Sequence, residues 1–320
     1  MNRPRRQANA ARDDRTTGAI RRAALLAGLA LATSSCNRGI LDPVGPVGHA
    51  EKLILINSTA IMLAIIIPTM IATLAVAWWF RAGNKKAHYR PNWEYSGAVE
   101  LVVWSIPALT ILLLGGIIWI GSHDLDPAKP LAAPPGSDPL NVEVVSLDWK
   151  WLFIYPDQGI ATVNQLVVPQ GVPVSYRLTS ATVWNVFFIP QFGTMIYTMP
   201  RMTTRLNLQG DRAGVYDGIS AHYSGDGFSG MGFKVHTLPP AQFASWAAGA
   251  RGAGPVLDGT SYAELVKPSS YVKPITYGAV VPGLFDDIVA NRAPPPFAPS
   301  TTPPSMHVSP KPPGEPNHVR

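Results

Sequence analysis

A chain of 320 residues with 47% hydrophobic and only 14% charged side chains has less charge than a typical soluble protein, which favours membrane-spanning segments. The formal net charge of +6 does not mark a nucleic-acid-binding protein, because residues 1–22 hold seven arginines against two aspartates and supply most of it. The single cysteine, Cys36, excludes an intrachain disulfide.

Residues 1–36 have the pattern of a secretory signal. Arg21 and Arg22 precede an apolar run over residues 23–32 that is too short to span a bilayer, and small residues then lead to Cys36. A cysteine in this position resembles a lipobox, in which the cysteine is lipidated and becomes the mature N-terminus. Thr33, three residues before Cys36, departs from the leucine or valine that is usual at its position. We predict lipidation at Cys36; an ordinary signal peptide with an incidental thiol is the alternative.

Two later segments, residues 53–79 and 101–121, contain no charged residue. At about 1.5 Å per residue, each can cross a hydrocarbon core of about 30 Å as a helix. Pro68 lies inside the first segment, which a membrane helix tolerates, and Trp78, Trp79 and Trp119 are placed as interfacial aromatic residues. We predict an extracytoplasmic segment over residues 37–52 and transmembrane helices over residues 53–80 and 97–122.

The flanks of these segments indicate their orientation. The loop over residues 81–96 carries four basic residues against Glu94 alone, which places it in the cytoplasm by the positive-inside rule. Both outer flanks are then outside, in agreement with an export signal. Everything after about residue 122 is predicted to be extracytoplasmic.

Glu100 interrupts the apolar pattern about one turn inside the second predicted span. A carboxylate at that depth is costly and usually faces protein or water. It is either a proton-entry group for a partner subunit or an interfacial glutamate whose side chain reaches the aqueous phase.

A proline-rich linker over residues 123–139 separates the spans from a segment of different character. Residues 140–240 contain short runs rich in β-branched and aromatic residues, each ended by Gly, Pro, Asn or Ser, which favours an all-β sandwich or barrel. Residues 241–292 are mixed and partly helical in pattern, and residues 293–320 have the composition of a disordered, proline-rich tail.

This order of parts resembles subunit II of the heme-copper terminal oxidases. "VELVVWSIP" is similar to the second-helix motif of that family, "LDWKWLFIYP" to its aromatic stretch, and "NVFFIPQFGTMIYTMPRMTTRL" to the strand that normally opens with a histidine ligand. The resemblance covers roughly residues 36–291. It implies a two-helix transmembrane hairpin plus an all-β cupredoxin-like sandwich with a small mixed or helical C-terminal extension.

In the cytochrome c oxidase branch of that family, the sandwich holds a dinuclear copper centre with two bridging cysteines, two histidines, a methionine and a backbone carbonyl. The corresponding positions here are Asn185 and Phe228 for the histidines, Ser220 and Ser224 for the cysteines, His222 for the carbonyl and Met231 for the methionine. A hydroxyl is a poor copper ligand and a phenyl ring is none, and one histidine with one methionine does not make a mononuclear copper site. We therefore expect no metal in this chain.

The loop pattern "YDGIS…YSGxGFSGM", with "DWKW" and "QFASWAAGA", resembles the quinol-oxidase branch. The resemblance implies subunit 2 of a proton-pumping ubiquinol oxidase in a bacterial inner membrane, with the C-terminal domain in the periplasm. It places hemes, copper and ubiquinol in a partner subunit I, and it implies subunit I, other small oxidase subunits and the lipid bilayer as partners. Glu100 would feed protons into a channel that runs through a lysine of subunit I.

Two other interpretations remain open at this point. A cytochrome c oxidase subunit II with an atypical copper site would bind two coppers per chain. A free-standing membrane lipoprotein with a binding sandwich would migrate without a heme-bearing partner in native electrophoresis.

Overall fold

The computed structural model describes residues 39–88 and 90–293. Residues 39–42 belong to one unit, which contains a 3₁₀ turn at Gly39–Leu41, and the chain from Pro43 onwards belongs to a second. The predicted signal segment with Cys36 and the proline-dense residues 294–320 lie outside the described residues.

Two long apolar helices come first, α1 at Pro46–Trp79 and α2 at Gly97–Asp124. Helix α1 begins before Leu53 because Gly45 provides an extended N-cap and Pro46 fits the first helical position, where no backbone N–H is needed. The most apolar window of each helix has no buried residue. Their apolar side chains therefore face outwards, as they do in helices that contact lipid or a partner.

Thirteen strands in the described part of the chain follow the helices. They are β1 Leu140–Leu147, β2 Lys150–Tyr155, β3 Ile160–Val163, β4 Gln165–Pro169, β5 Val174–Ser180, β6 Asn185–Phe188, β7 Met195–Thr198, β8 Thr204–Leu208, β9 Gly214–Ser220, β10 Gly232–Leu238, β11 Val256–Leu257, β12 Ile275–Tyr277 and β13 Ala279–Val280. Three short helices complete the C-terminal part: α3 at Pro240–Ala250, α4 at Gly259–Leu265 and α5 at Leu284–Val289.

The strands form two packed sheets and a small third one. The first has the order β12-β3-β2-β1-β5-β8, the second β4-β10-β9-β6-β7, and β11 pairs with β13. Neighbours in the two large sheets are antiparallel except β1 with β5 and β4 with β10. The predicted combination of two apolar helices, a β-sandwich and a mixed C-terminal extension is confirmed.

Strand β2 shows why the first sheet is apolar on both faces. Trp151, Phe153 and Tyr155 point into the core between the two sheets, whereas Leu152 and Ile154 belong to a second apolar cluster. Successive side chains of a strand point to opposite faces, so every residue of β2 is buried. The first sheet is thus the middle layer of three.

Residues 251–293 supply the outer layer. Tyr262, Leu265, Phe285 and Ile288 pack in the cluster that contains Leu152. Helix α4 starts at a capping box in which the Asp258 carboxylate accepts hydrogen bonds from backbone N–H groups. The C-terminal extension is therefore part of the fold of the sandwich.

The structure also refines the predicted strand pattern. The aromatic stretch over residues 147–156 forms strand β2, which a turn at Asp148 and Trp149 joins to the end of β1 at Leu147. Strand β10 lies directly after the loop with the copper-ligand positions and so fixes one end of that loop.

Candidate functional site

The loop over residues 220–231 joins β9 to β10, and its first residue lies beside the start of β6. Strands β6 and β9 are antiparallel with Phe187 opposite Ser220. This register brings Asn185, at the start of β6, next to Ser220, at the end of β9. The topology therefore brings together the first two positions that the family resemblance assigns to copper ligands.

Asn185 and Ser220 are buried and hydrogen-bonded to each other. The Ser220 hydroxyl donates to Asn185 Oδ1 at 3.1 Å and has the backbone oxygen of His222 at 3.4 Å. The exposed fraction is 0% for Asn185 and 6% for Ser220. An amide and a hydroxyl thus satisfy each other at the positions where an imidazole and a thiolate would bind metal.

The other loop positions divide into one buried and several outer side chains. Met231 is buried, and the Ser224 hydroxyl lies 3.9 Å from its sulfur. Phe228 is half-buried in a 3₁₀ turn, with its ring centroid 5.5 Å from that of Tyr223. Met231 therefore belongs to the apolar core of the sandwich, whereas Phe228 is only partly buried.

His222 is exposed, and its ring centroid lies 5.7 Å from that of Tyr197. Within residues 39–88 and 90–293, no three histidine, cysteine or acidic side chains cluster as a metal site would require. The donor set of this loop, with its amide, hydroxyls and thioether, does not fit a dinuclear copper centre, which needs bridging thiolates.

Trp149 lies in the turn between β1 and β2 and packs against the loop over residues 220–231. Its indole N–H donates to the backbone oxygen of Ser224 at 3.0 Å. A Cβ at Gly227 would lie 2.3 Å from the Trp149 ring, so only glycine permits this contact. The sequence motif "DWKW" contains this residue, but its spacing alone does not reveal the contact.

Tyr271, from the C-terminal layer, is 72% exposed, and one side of its ring lies against the same loop. Its hydroxyl lies 3.2 Å from the Ser229 hydroxyl, and a Cβ at Gly230 would lie 2.9 Å from its ring. Nothing in the sequence pattern singled out Tyr271, because it lies outside the loop and outside the quoted motifs. The loop is thus contacted by aromatic rings from two separate parts of the chain.

Glu100 lies elsewhere, in the first turn of α2. The spacing of Glu100, Trp104 and Pro107 is that of one helix face, and all three are exposed. The N-terminal end of a helix favours a negative charge, which makes this a suitable place for a carboxylate. The face contains the second-helix motif and has no partner from the described part of this chain.

Comparison with known proteins agrees with this architecture. The COX aromatic rich motif family matches residues 251–294, a range that includes the outer layer of the sandwich at residues 251–293. Cytochrome bo(3) ubiquinol oxidase subunit 2 of Pseudomonas aeruginosa is 46% identical over 260 residues, which cover 81% of this chain and 78% of that protein.

Two further relatives extend the similarity to other bacteria. Ubiquinol oxidase subunit 2 of Acetobacter aceti is 46% identical over 274 residues, 85% of this chain and 89% of that protein. Quinol oxidase subunit 2 of Bacillus cereus is 31% identical over 242 residues, 75% of this chain and 83% of that protein. With its two membrane-type helices and its β-sandwich, the chain belongs to the ubiquinol oxidase subunit 2 family and is a membrane-anchored subunit of an oxidase complex.

Proposed function

We propose that this chain is subunit 2 of an oxidase that oxidises ubiquinol, reduces dioxygen to water and pumps protons, and that it contributes no redox metal of its own. The observation that carries the proposal is the hydrogen bond between Ser220 and Asn185 at positions where copper ligands would be needed. A soluble cytochrome cannot deliver an electron through a domain that lacks a metal relay. We therefore assign the hemes, the copper and the site of quinol oxidation to the partner subunit I.

The choice of electron donor tests this proposal. Oxygen consumption by the purified complex would be measured with a short-chain ubiquinol and, separately, with reduced cytochrome c. We expect turnover with the quinol and none above background with the cytochrome. Turnover with cytochrome c that matches turnover with the quinol would contradict the proposal and favour a cytochrome c oxidase with an atypical copper site.

We also propose that Glu100 is the group through which protons enter a channel of subunit I from the cytoplasm. Its place in the first turn of α2, beside Trp104 on an exposed face, supports this role. A carboxylate on an unpartnered membrane-helix face is expected to meet protein or water. An acid at such a place can pass protons between the cytoplasm and a partner subunit.

Removal of the proton-carrying group tests this role. Glu100→Gln keeps the size of the side chain and is expected to lower turnover and the rate of heme reduction several-fold, whereas Glu100→Asp should retain part of the activity. Glu94→Gln, in the preceding loop, is the matched control and should behave as the unaltered complex does. Unchanged heme reduction in Glu100→Gln would show that the assigned role is wrong.

The positive-inside pattern supports a finer location for each part of the chain. We place residues 81–96 in the cytoplasm and the sandwich in the periplasm, anchored in a bacterial inner membrane with a lipid on Cys36. The mass of the mature chain tests whether Cys36 is lipidated. A chain that begins at Cys36 with added acyl mass is expected, and an unmodified N-terminus at another residue would contradict it.

A further inference from the structure

Two residues with an unusual backbone conformation contact residues 224–231 of the loop. In the described residues, the non-glycine residues with positive φ are Trp149, Asn164, Arg201, Tyr271 and Asn291. Trp149 has φ 63° and Tyr271 has φ 55°, a region that bulky side chains rarely adopt. Such residues persist only where their surroundings hold them, so Trp149 and Tyr271 are held by the residues that they contact.

Lys150 fixes the segment that carries Tyr271. The side chain is buried, with 1% of the residue exposed, and its ammonium donates to the backbone oxygen of Lys267 at 2.7 Å and to the Ser269 hydroxyl at 2.6 Å. Burial lowers the pKa of Lys150, and the nearby Asp148 opposes that shift. A buried ammonium whose strongest hydrogen bonds are to this segment ties residues 267–269 to the sandwich.

Asn164 fixes the same segment at its other end. Its amide nitrogen donates to the backbone oxygen of Val272 at 2.8 Å, and its amide oxygen accepts from the backbone N–H of Trp151 at 2.8 Å. Asn164 also has φ 55°, which asparagine tolerates better than other residues do. Residues 267–272 are therefore held at one end by Lys150 of β2 and at the other by Asn164, which lies between β3 and β4.

Between these two anchors, Tyr271 reaches the loop. Its ring lies against Gly230 and its hydroxyl against Ser229, while Trp149, the neighbour of Lys150, covers Gly227 and binds the backbone of Ser224. The turn from Asp148 to Lys150 thus has two roles. Trp149 contacts the loop directly, and Lys150 anchors residues 267–272, from which Tyr271 contacts the loop.

We propose that residues 267–272 and Trp149 form an aromatic clamp that holds the loop over residues 224–231 in one conformation, the task that metal ligation performs in a copper loop. Lys150 and Asn164 are positioning residues of this clamp. The inference goes beyond the proposed function, since it assigns a role to the aromatic C-terminal layer and does not depend on which electron donor the oxidase uses.

Hydrogen exchange of the loop amides in the purified complex tests the clamp. Tyr271→Asn removes the ring, and asparagine tolerates the left-handed backbone, so the fold is retained. We expect the amides of residues 224–231 to exchange about tenfold faster, because local opening becomes easier when packing is lost. Tyr271→Phe keeps the ring, loses only an exposed hydroxyl contact and is the matched control, with exchange close to that of the unaltered chain.

A second variant tests the anchor. Lys150→Met keeps the apolar stem and removes the donors to Lys267 and Ser269, and it should accelerate exchange in residues 267–272 and in the loop together. Lys234→Met, at an exposed lysine paired with Asp217, is its control. Unchanged loop exchange in Tyr271→Asn, or acceleration confined to residues 267–272 in Lys150→Met, would overturn the proposal.

Discussion

Trp104 and Trp151 both belong to motifs of the family, yet Trp104 is 75% exposed on helix α2, whereas Trp151 has no exposed surface in the sandwich. Trp151 packs against Phe187 and Phe233, with ring centroids 5.5 and 5.7 Å apart. No ring from the described part of the chain packs on Trp104 in this way. Trp151 is thus part of the core of the sandwich, whereas Trp104 is exposed on α2, where a partner subunit can contact it.

This difference extends to whole regions. The sandwich completes its own packing, because residues 251–293 cover the outer face of the first sheet. The two helices leave their apolar faces open. We therefore expect changes in the sandwich to alter the stability of the chain itself, and changes on the helices to alter assembly with other oxidase subunits.

The largest effect is expected from loss of the outer layer. A chain that ends after Ala250 exposes the apolar cluster around Leu152, Ile154 and Val163. Burial of a large apolar side chain contributes about 1.5–3 kcal/mol, and a domain has only about 5–15 kcal/mol of net stability, so the truncated sandwich should not fold. Protease resistance of the sandwich, compared in isolated membranes between the truncated and the full-length chain, measures the loss of folding.

The control chain ends after Ala293 and retains both apolar clusters. It should be as resistant to protease as the full-length chain. A protease-resistant sandwich in the chain that ends after Ala250 would show that the outer layer is dispensable.

A pair of substitutions sharpens the comparison between the two tryptophans. Trp151→Ala should destabilise the full-length chain by about 3–5 kcal/mol, because it leaves a large cavity among packed rings. Trp104→Ala should leave thermal melting of the detergent-solubilised chain unchanged and reduce co-purification with other oxidase subunits. Melting and co-purification would be measured on the same preparations, and a lowered melting temperature for Trp104→Ala would break the comparison.

A smaller, pH-dependent effect is expected at Arg177, which joins the outer layer to the first sheet. Its guanidinium contacts Glu143 at 2.8 Å and Asp286 at 2.7 Å and lies over the Phe285 ring. Burial raises the pKa of Glu143 and Arg177 opposes that shift, so the folded chain retains a proton that the unfolded chain has released. The free energy of unfolding therefore falls as pH rises from 4.5, the ordinary pKa of the carboxyl group, to the raised pKa of Glu143 in the folded chain.

Removal of Arg177 should make the loss of stability with rising pH larger, because the pKa of Glu143 in the folded chain then rises further. Arg177→Met is expected to cost about 1 kcal/mol near neutral pH, since the pair is partly screened by solvent, and less as pH approaches the ordinary value. Melting temperatures across this pH range measure the effect. Asp217→Asn, which breaks an exposed pair with Lys234, is the control, and an equal loss at all pH values in Arg177→Met would exclude a role for Glu143.

Features set by local sequence could be predicted, and features set by distant contacts could not. The apolar segments around Pro68 and Trp104 identify the helices because hydropathy is local. The start of α1 at Pro46 was missed because capping extends a helix beyond its apolar window. Strands such as β11 and β13 contain two residues each and form through pairing, which no pattern of two residues can predict.

The same division applies to the loop. The unsuitability of Ser220 and Ser224 as copper ligands follows from residue chemistry alone. The contacts that hold the loop do not, since Tyr271 meets Ser229 across 42 positions and Lys150 meets Lys267 across 117. Family resemblance predicted where the loop lies, and only the structure shows which residues pack against it.

The copper content of the purified full-length chain shows whether the loop over residues 220–231 binds metal. The detergent-solubilised chain would be incubated with copper ions, freed of unbound metal and assayed for copper per chain, with hydrogen exchange of residues 224–231 measured before and after. We expect copper far below one ion per chain and unchanged exchange in the loop, because the loop lacks copper ligands. Two copper ions per chain, with slower exchange in the loop and loss of both effects in Ser220→Ala, would contradict this expectation.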